Sequence, residues 1–211
     1  MNRKEIKQAA KARMKGNWKN LIVAVILAVL IPSFGFSIAF TVIDPVILIL
    51  LGPIISIFVV YPLSIGLVGV YLDVAKGGTV ELGNIFKGFN YWLKGVWLVL
   101  RIAIQTMLWS LLFIVPGYIK AIAYSQAIKI LVDNPELSVS ECIRRSRDMM
   151  DGYKMNYFIF GLSFFGWGIL MGITFGLAGF YVIPYTLLAE NMYYVKLKEE
   201  YAKSSEEFAE A

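Results

Sequence analysis

Residues 21–72 read LIVAVILAVLIPSFGFSIAFTVIDPVILILLGPIISIFVVYPLSIGLVGVYL, and Asp44 is the only Asp, Glu, Lys or Arg among them. A helix rising about 1.5 Å per residue needs roughly 20 apolar residues to cross a bilayer. The stretch therefore holds two crossings, about 21–43 and about 46–72. Asp44-Pro45 makes the turn between them, because Asp-Pro favours turns and the residue before proline is held out of the helical region. Pro53 and Pro62 predict bends in the second crossing. The basic start, the apolar run and Ser37-Ile38-Ala39 have the outline of a cleavable signal. Phe34, Phe36 and Phe40 crowd that site and the apolar run continues to Ile43, so an uncleaved span is expected.

Outward from this stretch, charge sets the topology. Of the 20 Lys and Arg residues, 17 fall within 1–19, 73–94, 133–155 and 195–211. The connections around Asp44-Pro45, Pro116-Gly117 and 172–179 contain none. Basic residues collect on the cytoplasmic side of membrane proteins. The chain is thus expected to be all-α: a polytopic membrane helix bundle with six transmembrane helices arranged as three hairpins, both ends in the cytoplasm. The expected spans are about 21–43, 46–72, 93–115, 118–132, 156–173 and 180–195, within a membrane domain of 20–195. Composition agrees, with 58% hydrophobic and 17% charged residues against about 45–50% and 25% in soluble domains. The fourth segment covers only about 22 Å at helical rise. Either Lys120 and Lys129 reach outward from it, or it enters partway and returns.

Two cytoplasmic amphipathic helices are expected beside the spans. In 1–19, Lys7, Lys11, Lys15 and Lys19 recur every four residues, opposite Ile6, Ala10, Met14 and Leu21. Such a helix can lie in the headgroup layer with Trp18 at the interface. In 138–151, Ser138-Val139-Ser140-Glu141 is a capping-box pattern, and Gly152 marks the helix end. Val139, Ile143, Ser146 and Met150 share one face there, with Arg144 and Arg145 on the other. Lys15-Gly16-Asn17-Trp18, Lys87 to Trp92 and Asp151-Gly152-Tyr153 punctuate the three outward crossings alike, each a helix stop at glycine followed by an aromatic. Residues 196–211 are expected to form a cytoplasmic tail.

The chain has no His, and Cys142 is its only Cys. That excludes an internal disulfide, Cys/His zinc sites and Ser-His or Cys-His nucleophile pairs. No enzymatic activity and no cofactor are expected. The net charge of +5 suits anionic lipid headgroups, and Lys7, Lys11, Lys15, Lys19, Arg144 and Arg145 are the expected surface contacts. No soluble basic domain exists to bind nucleic acid. Ionisable groups inside spans are costly and mark candidate sites. Arg101 and Glu190 lie at similar depth from the cytoplasmic side, with Gln105 and Asn191 beside them, and a pair between the two charges would neutralise both. On the outer side, Lys120 could meet Asp44. The composite expectation is a non-catalytic protein engaging anionic lipid or a partner membrane protein. The alternative is a small permease or lipid-handling transporter with Arg101, Gln105, Glu190 and Asn191 lining a cytoplasm-facing cavity. Oligomeric state has no signal in the sequence.

Several ordered motifs carry a family likeness: residues 111–120 (LLFIVPGYIK), Tyr124-Ser125, Asp133-Asn134-Pro135, residues 146–152 (SRDMMDG), residues 162–167 (LSFFGW) and Pro184-Tyr185. Together with Asn2-Arg3-Lys4-Glu5 and Lys15-Gly16-Asn17-Trp18, they resemble a bacterial integral-membrane family known as domain of unknown function 975. The resemblance implies a multi-pass protein of the bacterial plasma or inner membrane. It implies no catalytic residues, substrate or cofactor.

Overall fold

The computed structural model describes residues 2–210, and no strand occurs among them. The helices are α1 (Arg3–Val42), α2 (Pro45–Ala75), α3 (Trp92–Leu112), α4 (Ile114–Tyr124), α5 (Ala127–Asp133), α6 (Val139–Met149), α7 (Lys154–Leu162), α8 (Phe165–Ile173) and α9 (Gly179–Glu210). A 3-10 segment, Leu82–Asn90, lies between α2 and α3. Among the described residues, three stretches are long and apolar enough to cross a membrane, by length and composition: Arg3–Val42, Ile49–Ala75 and Lys154–Ile173.

The expected break at Gly16 is not made. The Asn2 side chain caps α1 by accepting from the Lys4 N–H, and the helix then runs unbroken for 40 residues, about 60 Å. One interior glycine costs only about 1 kcal/mol, and packing outweighs it. Ile6, Ala10, Met14, Leu21 and Ala24 form one continuous buried stripe, so residues 3–19 are the base of α1 rather than a separate surface helix. The C-terminal tail is likewise continuous with α9, to Glu210.

The Asp44-Pro45 turn forms as expected. Asp44 accepts from the Val46 N–H at 2.8 Å, and Pro45 takes the first helical position, where its missing N–H leaves nothing unsatisfied. α2 then returns antiparallel to α1. At the base of this pair the Tyr71 hydroxyl donates to the Leu21 carbonyl at 3.0 Å. The Arg13 guanidinium donates to the Val74 and Ala75 carbonyls at the end of α2, where the Val74 carbonyl also accepts from the Gly77 N–H at 3.0 Å. The 3-10 segment lies against α2 so closely that a Cβ on Gly66 would collide with the Ile85 carbonyl, and one on Gly88 with that of Pro62.

The next turn comes earlier than Pro116-Gly117. Phe113 is extended (φ −157°, ψ 140°), and α4 begins at Ile114 with Pro116 in its first turn, a position where proline breaks no helical hydrogen bond. Gly117 instead permits close approach, since a Cβ there would strike Ser110. The expected crossing 118–132 is divided between α4 and α5, of 11 and 7 residues. Ser146 of α6 holds the break: its hydroxyl donates to the Ala123 carbonyl at 2.8 Å and accepts from the Gln126 N–H at 3.2 Å.

α6 has the cap its sequence predicts, with the Glu141 N–H on Ser138 Oγ at 3.2 Å and Gly152 left-handed at φ 75°. Its buried face carries Cys142, Ile143, Ser146 and Met149 and packs against α3, α4 and α5. α7 and α8, separated at Ser163-Phe164, are joined to α9 by a ladder of aromatic contacts: Tyr157 and Phe160 on Tyr193, Phe164 on Tyr185, and Trp167 on Tyr181. The buried core is concentrated at the base, in the lower part of α1, the C-terminal half of α2, α4 to α6, and α9 as far as Leu197.

Candidate membrane-facing surface and polar cavities

The surface has two chemically distinct parts. Apart from Asp44, no Asp, Glu, Lys or Arg occurs within 20–72, and none occurs within 102–119 or 155–189. The structure exposes the turn ends of these segments. Phe34, Phe40, Val42 and Ile49 stand out around the α1–α2 turn, Leu111, Phe113 and Val115 around the α3–α4 turn, and Ile173, Phe175 and Leu177 before α9. Phe175 is 98% exposed. Large apolar side chains exposed together at each of these turns mark a surface that something other than water covers.

The other part is the packed base, which carries nearly all the charge. At its centre Asp133, whose side chain is 4% exposed, accepts from Lys76 just past α2, from Lys198 of α9 at 2.6 Å and from the buried Tyr194 hydroxyl at 3.0 Å. Burial pushes the Asp133 carboxyl up, but hydrogen bonds from Lys198, Lys76 and Tyr194 outweigh it and hold the group below the usual 3.8. One carboxylate thereby ties α2, α5 and α9 together. Burial also pushes the Cys142 thiol up, which keeps it protonated and unreactive.

The expected intramembrane cluster does not assemble. The Arg101 guanidinium donates to Ser140 Oγ on α6, and among the described residues no ion pair includes Arg101 or Glu190. α3 packs on α2, α4, α5 and α6, whereas α9 packs on α1, α2, α6 and α8. Gln105 Oε1 and Asn191 Oδ1 are both buried without a hydrogen-bond partner among the described residues, although Asn191 Nδ2 donates to the Leu187 carbonyl at 2.8 Å. Asp44 and Lys120 also stay apart in function: Asp44 caps α2, and the Lys120 ammonium lies 4.9 Å above the Trp109 ring. Lys129 does not reach outward; it is buried and donates to Gln126 Oε1 at 3.2 Å.

The expected headgroup contacts divide into three. Lys7 donates to the Ser163 carbonyl and lies 4.4 Å above the Phe164 ring, while Lys11 lies 5.7 Å above that of Tyr185. Arg144 and Arg145 point outward and pair with Glu141 at 3.7 and 3.0 Å. Lys15 and Lys19 are exposed, and neither belongs to an ion pair among the described residues.

Polar side chains line several cavities at the base. One of about 700 Å³ is lined by Asp73, Asn84, Lys87, Tyr91, Trp92 and Lys94, among others. A second of about 350 Å³ brings Lys120 together with Arg147, Asp148, Asp151 and Lys154. Neither contains the four residues expected to line a polar cavity. Sequence reasoning missed Asp133 as a hub because its lysines lie 57 and 65 positions away, beyond any local pattern; Asp133-Asn134-Pro135 reads only as a helix stop.

An all-helical chain with a charged, packed base and three stretches apolar enough for a membrane is the class that fold and surface define. The chain belongs to the family described as "Protein of unknown function (DUF975)", whose model matches residues 1–127 and 114–201. No curated protein and no solved structure matches it.

Proposed function

We propose that this is a non-catalytic protein of the bacterial cell membrane, with both ends in the cytoplasm, whose basic base engages anionic lipid. The observation that carries this reading is the division of the surface: bare apolar helix turns, and apart from them a packed base holding most of the lysines and arginines. Bilayer hydrocarbon suits the first part, and an anionic headgroup layer suits the second.

On this reading the apolar segments enter as three hairpins from the cytoplasmic side, but to unequal depth. α1–α2 crosses fully. Lys120 shares a cavity with Arg147, Asp148 and Asp151, which supports an α3–α4 hairpin that enters partway and returns. Gly176 and Gly179, at the third turn, lie beside residues 22–30 of α1. That is 13 or more residues short of Ile43, or about 20 Å.

Single cysteines in a Cys142→Ser background test both depth and orientation. With an impermeant thiol reagent on intact cells, Asp44→Cys is expected to label, while Phe113→Cys, Phe175→Cys and Arg145→Cys are not. Labelling at Phe113→Cys and Phe175→Cys would mean three fully spanning hairpins; labelling at Arg145→Cys would invert the protein.

A second reading, solute handling, draws on the 700 Å³ cavity with its two lysines, an aspartate and aromatic rim, a size within the usual range for small-molecule sites. Its residues differ from those expected from the sequence. Mass spectrometry of the purified protein separates the two readings. Retained phospholipid supports the first, and a stoichiometric polar solute lost on Lys87→Gln supports the second.

A further inference from the structure

A groove of about 460 Å³ runs between α1 and the start of α9, walled by Ile22, Ile26 and Val29 on one side and Gly179, Phe180 and Ile183 on the other. Every residue lining it is apolar or glycine. Two glycines line it: Gly176 has φ 87°, which L side chains rarely adopt, and Gly179 presents no side chain to the wall. The apolar wall of α1 continues toward the N-terminus as a different chemistry on the same helix face. Counting back from Ile22 by three, four and seven residues gives Lys19, Trp18 and Lys15, which share its face. Lys11 follows one turn below and lies over Tyr185, next to the groove residue Pro184. Trp18, Lys15 and Lys19 are exposed, and the two lysines lack an acidic partner among the described residues.

We propose that this groove seats one acyl chain of an anionic glycerophospholipid, with the lipid phosphate at Lys15 and Lys19 and Trp18 at the interfacial level. An apolar slot that begins one turn above a pair of unpaired cations matches an amphiphile with a negative head. From Lys19 to Val29 the face extends about 15 Å, enough for most of a chain in one leaflet. A neutral lipid would leave the lysines unmatched, and a partner helix would need acidic residues at the same level. The proposal rests on the lipid-engaging reading above and locates it.

The test uses the full chain in nanodiscs of equal phosphatidylglycerol and phosphatidylcholine, released into mild detergent, with retained lipid read by native mass spectrometry. The wild type is expected to keep phosphatidylglycerol in preference to phosphatidylcholine. Lys15→Gln/Lys19→Gln should lower that preference about thirtyfold, each basic residue near the surface contributing about fivefold. Ile26→Trp fills the groove and should reduce retention of both lipids; Ile183→Trp does the same from the opposite wall should the first variant fold poorly. Val23→Trp, outside the groove, should leave retention unchanged. If the wild type keeps no anionic lipid, the lipid-engaging reading itself falls. If it keeps the lipid and the lysine and groove variants keep it equally, the groove is overturned and the broader reading stands. A photo-crosslinker at position 26 that captures a protein helix instead of lipid also overturns the groove assignment.

Discussion

Replacing Asp133 with Ala removes the acceptor on which Lys76, Lys198 and Tyr194 converge. The three donors lose unequally. The lysine side chains are 43% and 52% exposed, so water replaces the carboxylate and each pair contributes no more than about 1 kcal/mol. Tyr194 is 1% exposed, and its stranded hydroxyl costs about 1–3 kcal/mol. The total is about 3 kcal/mol, or roughly 6–12 °C in Tm for a chain of this size. Asp133→Asn keeps an acceptor for Tyr194 and loses only the ion pairs, so it should cost about 1 kcal/mol. The pH dependence has a definite sign. A carboxyl held below 3.8 when folded adds stability that is complete above that value and disappears as pH falls through the lower folded value. The gap between wild type and Asp133→Asn should therefore close as pH drops below 3.8. Thermal unfolding in mild detergent, followed by tyrosine and tryptophan fluorescence, reads all three quantities. Equal Tm for Ala and Asn variants, or additive effects of Asp133→Asn and Lys198→Met, would refute the hub.

Two further perturbations probe the base. Gly66→Ala sets a methyl against the Ile85 carbonyl; backbone cannot swing aside as a side chain can, so a loss of about 1–3 kcal/mol is expected, read as lowered folded yield and Tm. Ser146→Ala removes a buried hydroxyl bonded to both sides of the α4–α5 break and should cost about 1–3 kcal/mol. Hydrogen exchange at the Gln126 amide should rise more than at Ile130; equal change at both sites would count against a local role.

What the sequence made legible was local. Hydropathy marked the helices, and Asp44-Pro45, Ser138 with Glu141, and Gly152 carried their caps and stops within a few residues of the groups they serve. Proline at 116 misled because its meaning depends on position: it ends a helix from inside but opens one from the first turn. Gly16 misled because a continuous buried stripe on α1 overrides a weak local preference. The Arg101–Glu190 pairing assumed helices level with one another and adjacent, and depth counted along separate helices carries no information about which helices touch. Asp133 illustrates the remainder. Its three donors come from distant helices, and nothing in Asp133-Asn134-Pro135 specifies them.

The short reach of the third turn has a mechanical corollary. With Gly176 beside residues 22–30 of α1, and with the α3–α4 hairpin entering only partway as proposed above, the α1–α2 pair would continue alone beyond them. On the proposed placement, the protein fills a wide area in the cytoplasmic leaflet and only a two-helix post in the outer one. Such a tapered body displaces more lipid on one side than on the other, and so places a bending stress on the bilayer around it.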